Sequence, residues 1–174
     1  RSDDARRYTL KLRRDVVFSD GQPFSSADVV FMFKAIYHAA TGSNLADSLT
    51  ANGKRLQVAA IDPHTVEIVF PEPFAAGVSL LDNLPILPRH KLEAALEAGQ
   101  LASAWSLSTP PSEVVGLGPF VLRSYVPGQR VVLGRNERYF RRAPDGGALP
   151  YLDELILEII TDQNAELLRL EAGQ

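Results

Sequence analysis

The chain has 174 residues with no cysteine, one tryptophan and three histidines. Without cysteine there is no disulfide framework, no thiol nucleophile and no thiolate metal site. The lack of cysteine is compatible with any cellular compartment. No two of His38, His64 and His90 stand three to five residues apart, so no metal-ligand spacing is present. We interpret each histidine as a structural or surface residue, because a functional site requires convergent partners.

Long apolar runs and an excess of one charge are also lacking. No stretch approaches the roughly 20 apolar residues of a membrane span, and no signal peptide is recognisable. The net charge is −3, with 18 basic residues scattered among 21 acidic ones, which argues against nucleic acid as a partner. We interpret the densest basic cluster as a solvated strand face; it comprises Arg6, Arg7, Lys11, Arg13 and Arg14. Secondary-structure patterns run almost to both ends, so we expect a fragment of a longer chain.

The usual catalytic motifs are missing as well. There is no G-x-S-x-G elbow, and Gly116-Leu117-Gly118 precedes a proline and a strand instead of the helix of a phosphate-binding loop. The acids Asp62, Glu67, Glu72 and Asp82 would pair only if the fold brought them together. One alternative is therefore a stand-alone hydrolase built around acids such as Glu67 and Asp82.

The first quarter of the chain predicts a strand, a turn and a helix. Apolar and polar residues alternate over residues 8–13, and Val16-Val17-Phe18 extends this strand or begins a second. We expect a turn at residues 19–23 with a positive φ at Gly21. Ser25 is predicted to cap a helix ending near Ala40, with Asp28 beside its free N–H groups.

The middle of the chain predicts a hairpin and short helices. Residues 55–61 and 65–70 have the period of two strands joined by Asp62-Pro63-His64. Residues 45–53 are interpreted as a short helix or a loop. Residues 74–81 and 88–99 predict two helices, and residues 100–115 are mostly loop.

The last third predicts a second hairpin, a strand and a helix. The hairpin runs from Phe120 to residues 131–133 through a type II turn at Pro127-Gly128. Residues 152–160 have apolar side chains on both faces, as a buried strand does. Asp162 is predicted to cap a final helix with three inward-facing leucines, Leu167, Leu168 and Leu170. Strands and helices mix without a βαβ rhythm, so the fold class is α+β.

Three stretches together resemble the family 5 extracellular solute-binding proteins, the dipeptide, oligopeptide and nickel receptors of ABC importers. The first, residues 8–31, is similar to the family's strand, "F-x-D-G" turn and "A-x-D-V" helix start, with Ser26 in place of the usual alanine. The second, Gly116-Leu117-Gly118-Pro119-Phe120, resembles the "G-T-G-P-Y" motif. The third, Arg135-Asn136-Glu137-Arg138-Tyr139-Phe140, resembles "R-N-x-x-Y-W". The motifs occur in family order across essentially the whole chain.

The resemblance implies a fragment of a periplasmic-binding-protein-like lobe of class II, that is, one part of a two-lobed periplasmic receptor. Residues 1–174 would form part of the first lobe. About residues 20–115 would be an inserted subdomain, and residues 116–174 would return to the main sheet. The second lobe, which closes over the solute, would be absent.

The function implied by the resemblance is capture of peptide-like solutes and delivery to the transmembrane permease subunits of an ABC importer. Such a protein is not an enzyme, needs no cofactor or metal, binds no nucleic acid, and is expected to be a monomer in the periplasm or otherwise outside the cytoplasm. An alternative within the binding class is a receptor that presents its ligand to a signalling partner.

Two short segments are the candidate ligand-binding residues. One is the connector Leu81-Asp82-Asn83, which lies between a predicted helix and Pro85. The other is the glycine gate, Gly116-Leu117-Gly118, where glycine is expected to permit a backbone turn that a side chain would forbid. Loops held on rigid elements are where binding groups concentrate.

Overall fold

The structure, a computed structural model, describes residues 2–74, 77–82, 84–160 and 162–173, and it has the predicted α+β architecture. The helices are α1 (Ser26–Tyr37), α2 (Leu45–Ser48), α3 (Gly77–Leu81), α4 (Arg89–Glu97), α5 (Leu101–Ala104) and α6 (Gln163–Glu171). The strands are β1 (Arg7–Lys11), β2 (Thr50–Ala51), β3 (Lys54–Arg55), β4 (Gln57–Asp62), β5 (Thr65–Val69), β6 (Phe120–Val126), β7 (Arg130–Arg135) and β8 (Glu154–Glu158).

The described strands form three antiparallel sheets. β5 lies between β1 and β4, so that Tyr8 and Val58 both stand opposite Ile68. β2 and β3 form a two-stranded hairpin. β6, β7 and β8 form the third sheet in sequence order. The first sheet therefore joins a strand before residue 20 to strands of the middle segment, and the third is built entirely from residues after 116.

The larger core lies between the first sheet and one face of α1. The predicted apolar face of this helix, Val29, Phe33 and Ile36, packs against Val66 and Ile68. Both sheet residues are essentially inaccessible, as expected when alternate side chains of a strand point to one buried face. The apolar face predicted for α1 and the apolar face predicted for β5 therefore pack against each other in one core.

A second core, which the sequence analysis did not predict, occupies the opposite face of α1. Phe31 and Ala35 pack there against Leu92 and Leu96 of α4, and Leu96 is fully buried. Burial on two faces explains why α1 is apolar around most of its circumference.

A buried carboxylate fixes the start of α1 and links it to α4. Asp28 accepts the backbone N–H of Ser25 at 2.9 Å and the Ser25 hydroxyl at 3.1 Å. Its second oxygen accepts the N–H of Arg89, the first residue of α4, at 3.2 Å. The predicted cap is thus confirmed. The helix ends at Tyr37, and a 3₁₀ turn over Ala39–Thr41 follows it.

Two local predictions differ from the structure. Val17 forms only an isolated bridge with Pro23, because the chain turns at residues 19–22 before a ladder can extend. Residues 45–53 hold the short helix α2, the strand β2 and the turn that joins β2 to β3 in a hairpin. The hairpin turn has Asn52 at φ 49° and Gly53 at φ 71°, the backbone that an Asn-Gly pair favours between two strands.

The prediction that residues 152–160 and the final helix are buried is wrong. Ile156 and Leu157 are each 49% exposed. β8 is an edge strand, and no described element covers its faces. Leu167, Leu168 and Leu170 of α6 are exposed as well. The predicted cap of α6 is nevertheless present, because Asp162 accepts the N–H of Asn164 at 2.9 Å.

Candidate functional site

The turn at residues 19–22 is the centre on which the candidate site is built. The N–H of Phe18 donates to the carbonyl of Gln22 at 2.8 Å, and that of Gly21 donates to the carbonyl of Phe18 at 2.8 Å. Asp20 accepts the N–H of Gln22 at 3.1 Å. Gly21 has φ 92°, so the predicted positive φ is confirmed. The result is a closed turn that leaves Ser19 free to bond elsewhere.

Ser19 binds the glycine gate, although 97 residues separate the two in sequence. Its N–H donates to the carbonyl of Gly116 at 3.0 Å, and its hydroxyl accepts the N–H of Gly116 at 3.3 Å. Both backbone polar groups of Gly116 are therefore satisfied by a single residue of the turn.

Asn136 holds the other end of the gate. This residue is only 4% exposed, and its amide donates to the carbonyl of Gly118 at 2.8 Å. Its backbone N–H donates to the carbonyl of Pro119 at 2.9 Å. Its side-chain oxygen accepts the N–H of Arg138 at 3.0 Å, and the Arg138 guanidinium reaches the carbonyl of Ser19 at 3.3 Å. The three distant motifs are thus joined in one hydrogen-bonded junction.

A hydrogen bond between two side chains ties this junction to α4. The Asp20 carboxylate lies 2.7 Å from Nε2 of His90, in the first turn of that helix. Burial raises the pKa of Asp20, but the hydrogen bonds from His90 and the Gln22 N–H outweigh it, so the pKa lies below its usual range. The His90 ring also meets the buried Phe18 ring edge to face at 5.4 Å. Asp20 is therefore held as a carboxylate at neutral pH.

The prediction that Gly116 and Gly118 permit a backbone turn that a side chain would forbid is wrong. Neither Gly116 nor Gly118 has a positive φ, and a Cβ added to either would have no heavy atom closer than 3.8 Å. Backbone strain and crowding therefore do not require glycine here. What the glycines do provide is open surface beside the backbone: Gly118 is exposed, and Gly116 and Leu117 are half-buried.

The connector lies at the end of α3. Leu81, the last residue of that helix, and Leu84 pack against the larger core. Asp82 is exposed, and its N–H donates to the carbonyl of Ser79 at 3.4 Å. Asn83 lies outside the described residues. Leu81 is thus fixed by the larger core, whereas the gate is fixed by the turn.

The acids considered for a hydrolase have separate partners. Glu67 pairs with Arg7 at 2.6 Å, and Glu72 accepts a hydrogen bond from Asn52. Asp62 accepts the N–H of His64 at 2.8 Å, and a hydrogen bond from Thr65 is the main cause that lowers its pKa. In the described part of the chain, no group of three or more His, Asp or Glu residues is placed to hold a metal ion.

Known proteins resemble this chain in both sequence and fold. The family model described as "Bacterial extracellular solute-binding proteins, family 5 Middle" matches residues 1–174. The chain belongs to family 5 of the bacterial extracellular solute-binding proteins. Leu117 stands where the family motif has threonine, and Phe120 and Phe140 stand where the motifs have tyrosine and tryptophan. The match over the whole length confirms the resemblance despite these differences.

Relatives of this family 5 chain have names that refer to transport. A probable ABC transporter-binding protein of Deinococcus radiodurans is 31% identical over 99% of this chain and 30% of its own length. A putative ABC transporter peptide-binding protein of Brucella ovis is 34% identical over 99% of this chain and 30% of its own length.

A solved structure agrees with the sequence comparison. The ABC transporter substrate-binding protein CtaP of Listeria monocytogenes is 30% identical and superposes with a TM-score of 0.81 over 99% of this chain and 33% of its own. The family is one of periplasmic-type binding proteins and not of enzymes, and the predicted fold class is confirmed. The chain spans about a third of the length of these proteins. None of the described helices is long and apolar enough to cross a membrane.

Proposed function

We propose that the protein to which this chain belongs is the substrate-binding component of an ABC importer that captures peptide-like solutes. The observation that carries the proposal is the family 5 match over residues 1–174. The names of the Deinococcus and Brucella relatives, an ABC transporter-binding protein and a peptide-binding protein, support the transport role and the class of solute.

In this proposal the protein works outside the cytoplasm, in the periplasm or anchored at the outer face of the membrane. It acts as a monomer and passes its solute to the transmembrane permease subunits. Residues 20–115 would form an inserted subdomain of the first lobe, and residues 116–174 would belong to the main sheet. The construction of the third sheet from residues after 116 supports that division.

We place the solute beside the connector Leu81-Asp82-Asn83 and the gate Gly116-Leu117-Gly118. The open surface at Gly116 and Gly118 supports the gate, because a ligand can approach a backbone that carries no side chain. The exposed carboxylate of Asp82 suits the amino terminus of a peptide. Rigid supports hold both segments, as a binding loop requires.

Thermal melting of the full-length protein with dipeptide and oligopeptide libraries tests this function. A ligand at about 100 times its Kd should stabilise the native state by about 2.7 kcal/mol. The 174-residue chain alone should show little or no shift, because closure of two lobes stabilises the bound state through contacts that a single lobe lacks. No shift with any peptide in the full-length protein would contradict a peptide cargo.

Asp82→Ala and the matched variant Asp3→Ala test the site. Asp3 is also exposed, but it lies near the amino-terminal end of the described chain. We expect Asp82→Ala to weaken peptide binding about tenfold, the scale of one charge-assisted hydrogen bond. Asp3→Ala should bind as the unchanged protein does. Equal affinities for all three proteins would remove Asp82 from the site.

A further inference from the structure

The cluster of basic residues singled out in the sequence is divided by the fold. Arg7 pairs with Glu67 at 2.6 Å, and Arg13 pairs with Asp15 at 2.6 Å, both on the surface. Arg6 instead faces a cleft that two residues from elsewhere in the chain, Lys54 and Arg55, also line. This basic cleft encloses about 230 Å³. Its walls are Arg6, Lys54, Arg55, Gln57, Val69, Phe70 and Pro71.

The lining of the basic cleft contains three cations and no carboxylate. Among the described residues, none of Arg6, Lys54 and Arg55 lies within 4.0 Å of a carboxylate oxygen, the distance that defines the ion pairs of this chain. Glu72 follows the lining residue Pro71 in sequence, and it accepts a hydrogen bond from Asn52 and not from one of the three cations. The lining itself therefore has three positive charges and no negative one, and outside the lining Asp4 interacts electrostatically with Arg6.

Two of the three cations are oriented by the fold. The Arg6 guanidinium donates to the carbonyls of Pro71 at 2.8 Å and Phe70 at 3.5 Å. The Arg55 guanidinium lies over the Tyr37 ring, 5.0 Å from its centroid. Tyr37 is itself fixed, because its hydroxyl donates to the carbonyl of Leu49 at 2.7 Å and accepts the N–H of Leu56 at 3.1 Å. Cation–π contact and hydrogen bonds thus reduce the side-chain entropy lost when a ligand binds.

The third cation is positioned by the hairpin that the sequence analysis missed. Lys54 pairs with Ala51 across the β2–β3 ladder, next to the Asn52-Gly53 turn. A two-residue turn of this type fixes the register of its strands. The bond from Asn52 to Glu72 ties the end of the hairpin to the segment that follows β5. Lys54 and Arg55 therefore lie side by side on the short strand β3, and both line the cleft with Arg6.

We propose that the basic cleft binds a phosphate group. Two guanidinium groups and one ammonium present more N–H donors than the two oxygens of a carboxylate can accept, and a phosphate offers three or four oxygens. Guanidinium matches phosphate in a bidentate geometry, and lysine adds a compact charge. The site is separate from the connector and the gate, so it does not depend on the proposed transport function.

Titration of the full-length protein with inorganic phosphate, at low ionic strength and in a buffer without phosphate, tests the proposal. We expect saturable binding that the double substitution Lys54→Gln and Arg55→Gln weakens about tenfold or more, since two charge-assisted contacts are lost. The matched control is Lys34→Gln with Arg89→Gln, which removes the same charge from residues paired with Glu97 and Glu93. The control should bind phosphate as the unchanged protein does.

Arg55→Lys separates the effect of the guanidinium's donor geometry on phosphate binding from the effect of its charge. This substitution keeps the positive charge but loses the planar fork, so binding should weaken less than in Arg55→Gln. Melting curves without phosphate check that each variant folds, and the upward shift on adding phosphate gives a second readout of affinity.

Vesicles distinguish a free phosphate from a lipid headgroup. Binding to phosphatidylglycerol vesicles but not to phosphatidylcholine vesicles, lost in the Lys54/Arg55 double variant, would identify the headgroup as the source. Saturable binding of inorganic phosphate without vesicle binding would identify a soluble source. Absence of both, or an equal loss in the Lys34/Arg89 control, would overturn the proposal.

Discussion

At the scale of single residues, Asn136 links the gate to the segment that follows β7. Its side chain joins the carbonyl of Gly118 to the N–H of Arg138, and its backbone bonds Pro119. Each such hydrogen bond contributes about 0.5–1.5 kcal/mol to the stability of a protein. Asn136 is therefore a positioning residue for the gate and for the proposed solute site.

Asn136→Ala should lower the free energy of unfolding by about 1–3 kcal/mol, because two side-chain hydrogen bonds of a buried residue are lost. Asn136→Asp should be at least as damaging, because a carboxylate has no N–H to donate and would face the Gly118 oxygen. Urea unfolding of the chain measures both effects.

An exposed asparagine provides the comparison. Asn164 lies near the start of α6, and the bond at that position comes from its backbone and not from its side chain. Asn164→Ala should change the free energy of unfolding by no more than about 0.5 kcal/mol. Similar losses for Asn136→Ala and Asn164→Ala would show that the junction does not depend on the buried amide.

Local rules predicted several residues of the junction but not its assembly. The positive φ of Gly21 and the caps at Ser25 and Asp162 depend on neighbours within three residues, which the sequence displays directly. The bond between Ser19 and Gly116 spans 97 residues, and no local pattern contains it. The resemblance identified the right stretches, whereas the conformational reason expected for the gate glycines was wrong.

At the scale of elements, the hydrogen bond between Asp20 and His90 links the turn to α4. The folded-state pKa of Asp20 lies below its usual value, so the ionised carboxylate stabilises the fold at pH values above the unfolded pKa of about 4. This contribution is lost as the pH falls through the folded-state pKa, because protonation removes the negative charge that accepts hydrogen bonds from His90 and the Gln22 N–H.

Asp20→Asn should therefore destabilise the protein at pH 7, and the difference from the unchanged protein should shrink below about pH 4. Chemical unfolding at a series of pH values between these two limits measures the difference directly. A difference that stayed constant across the series would mean that the charge of Asp20 does not contribute.

Periodicity predicted the elements well where one face is buried and poorly elsewhere. β5 alternates between buried and half-buried positions only in part, yet Val66 and Ile68 point into the core as expected. The hairpin at Asn52-Gly53 was missed because its strands have only two residues each, too short for a period to be visible. The turn dipeptide was the available signal.

At the scale of the whole molecule, apolar surface is concentrated on β8 and α6. The apolar pattern of these elements led to the expectation of burial, but pattern alone does not say which element supplies the covering layer. In the described structure β8 pairs on one edge with β7, and the leucines of α6 remain exposed. The two cores around α1 are complete without them.

Leu168→Gln in the 174-residue chain should therefore leave the free energy of unfolding within about 0.5 kcal/mol of its original value, since the residue is 65% exposed and glutamine is a good helix former. Leu96→Ala, in the second core, should cost about 2–5 kcal/mol because it creates a cavity at a fully buried position. Urea unfolding of both variants tests whether the cores around α1, and not the apolar surface of α6, carry the stability of the chain. A loss of several kcal/mol for Leu168→Gln would mean that α6 packs against the rest of the chain in solution.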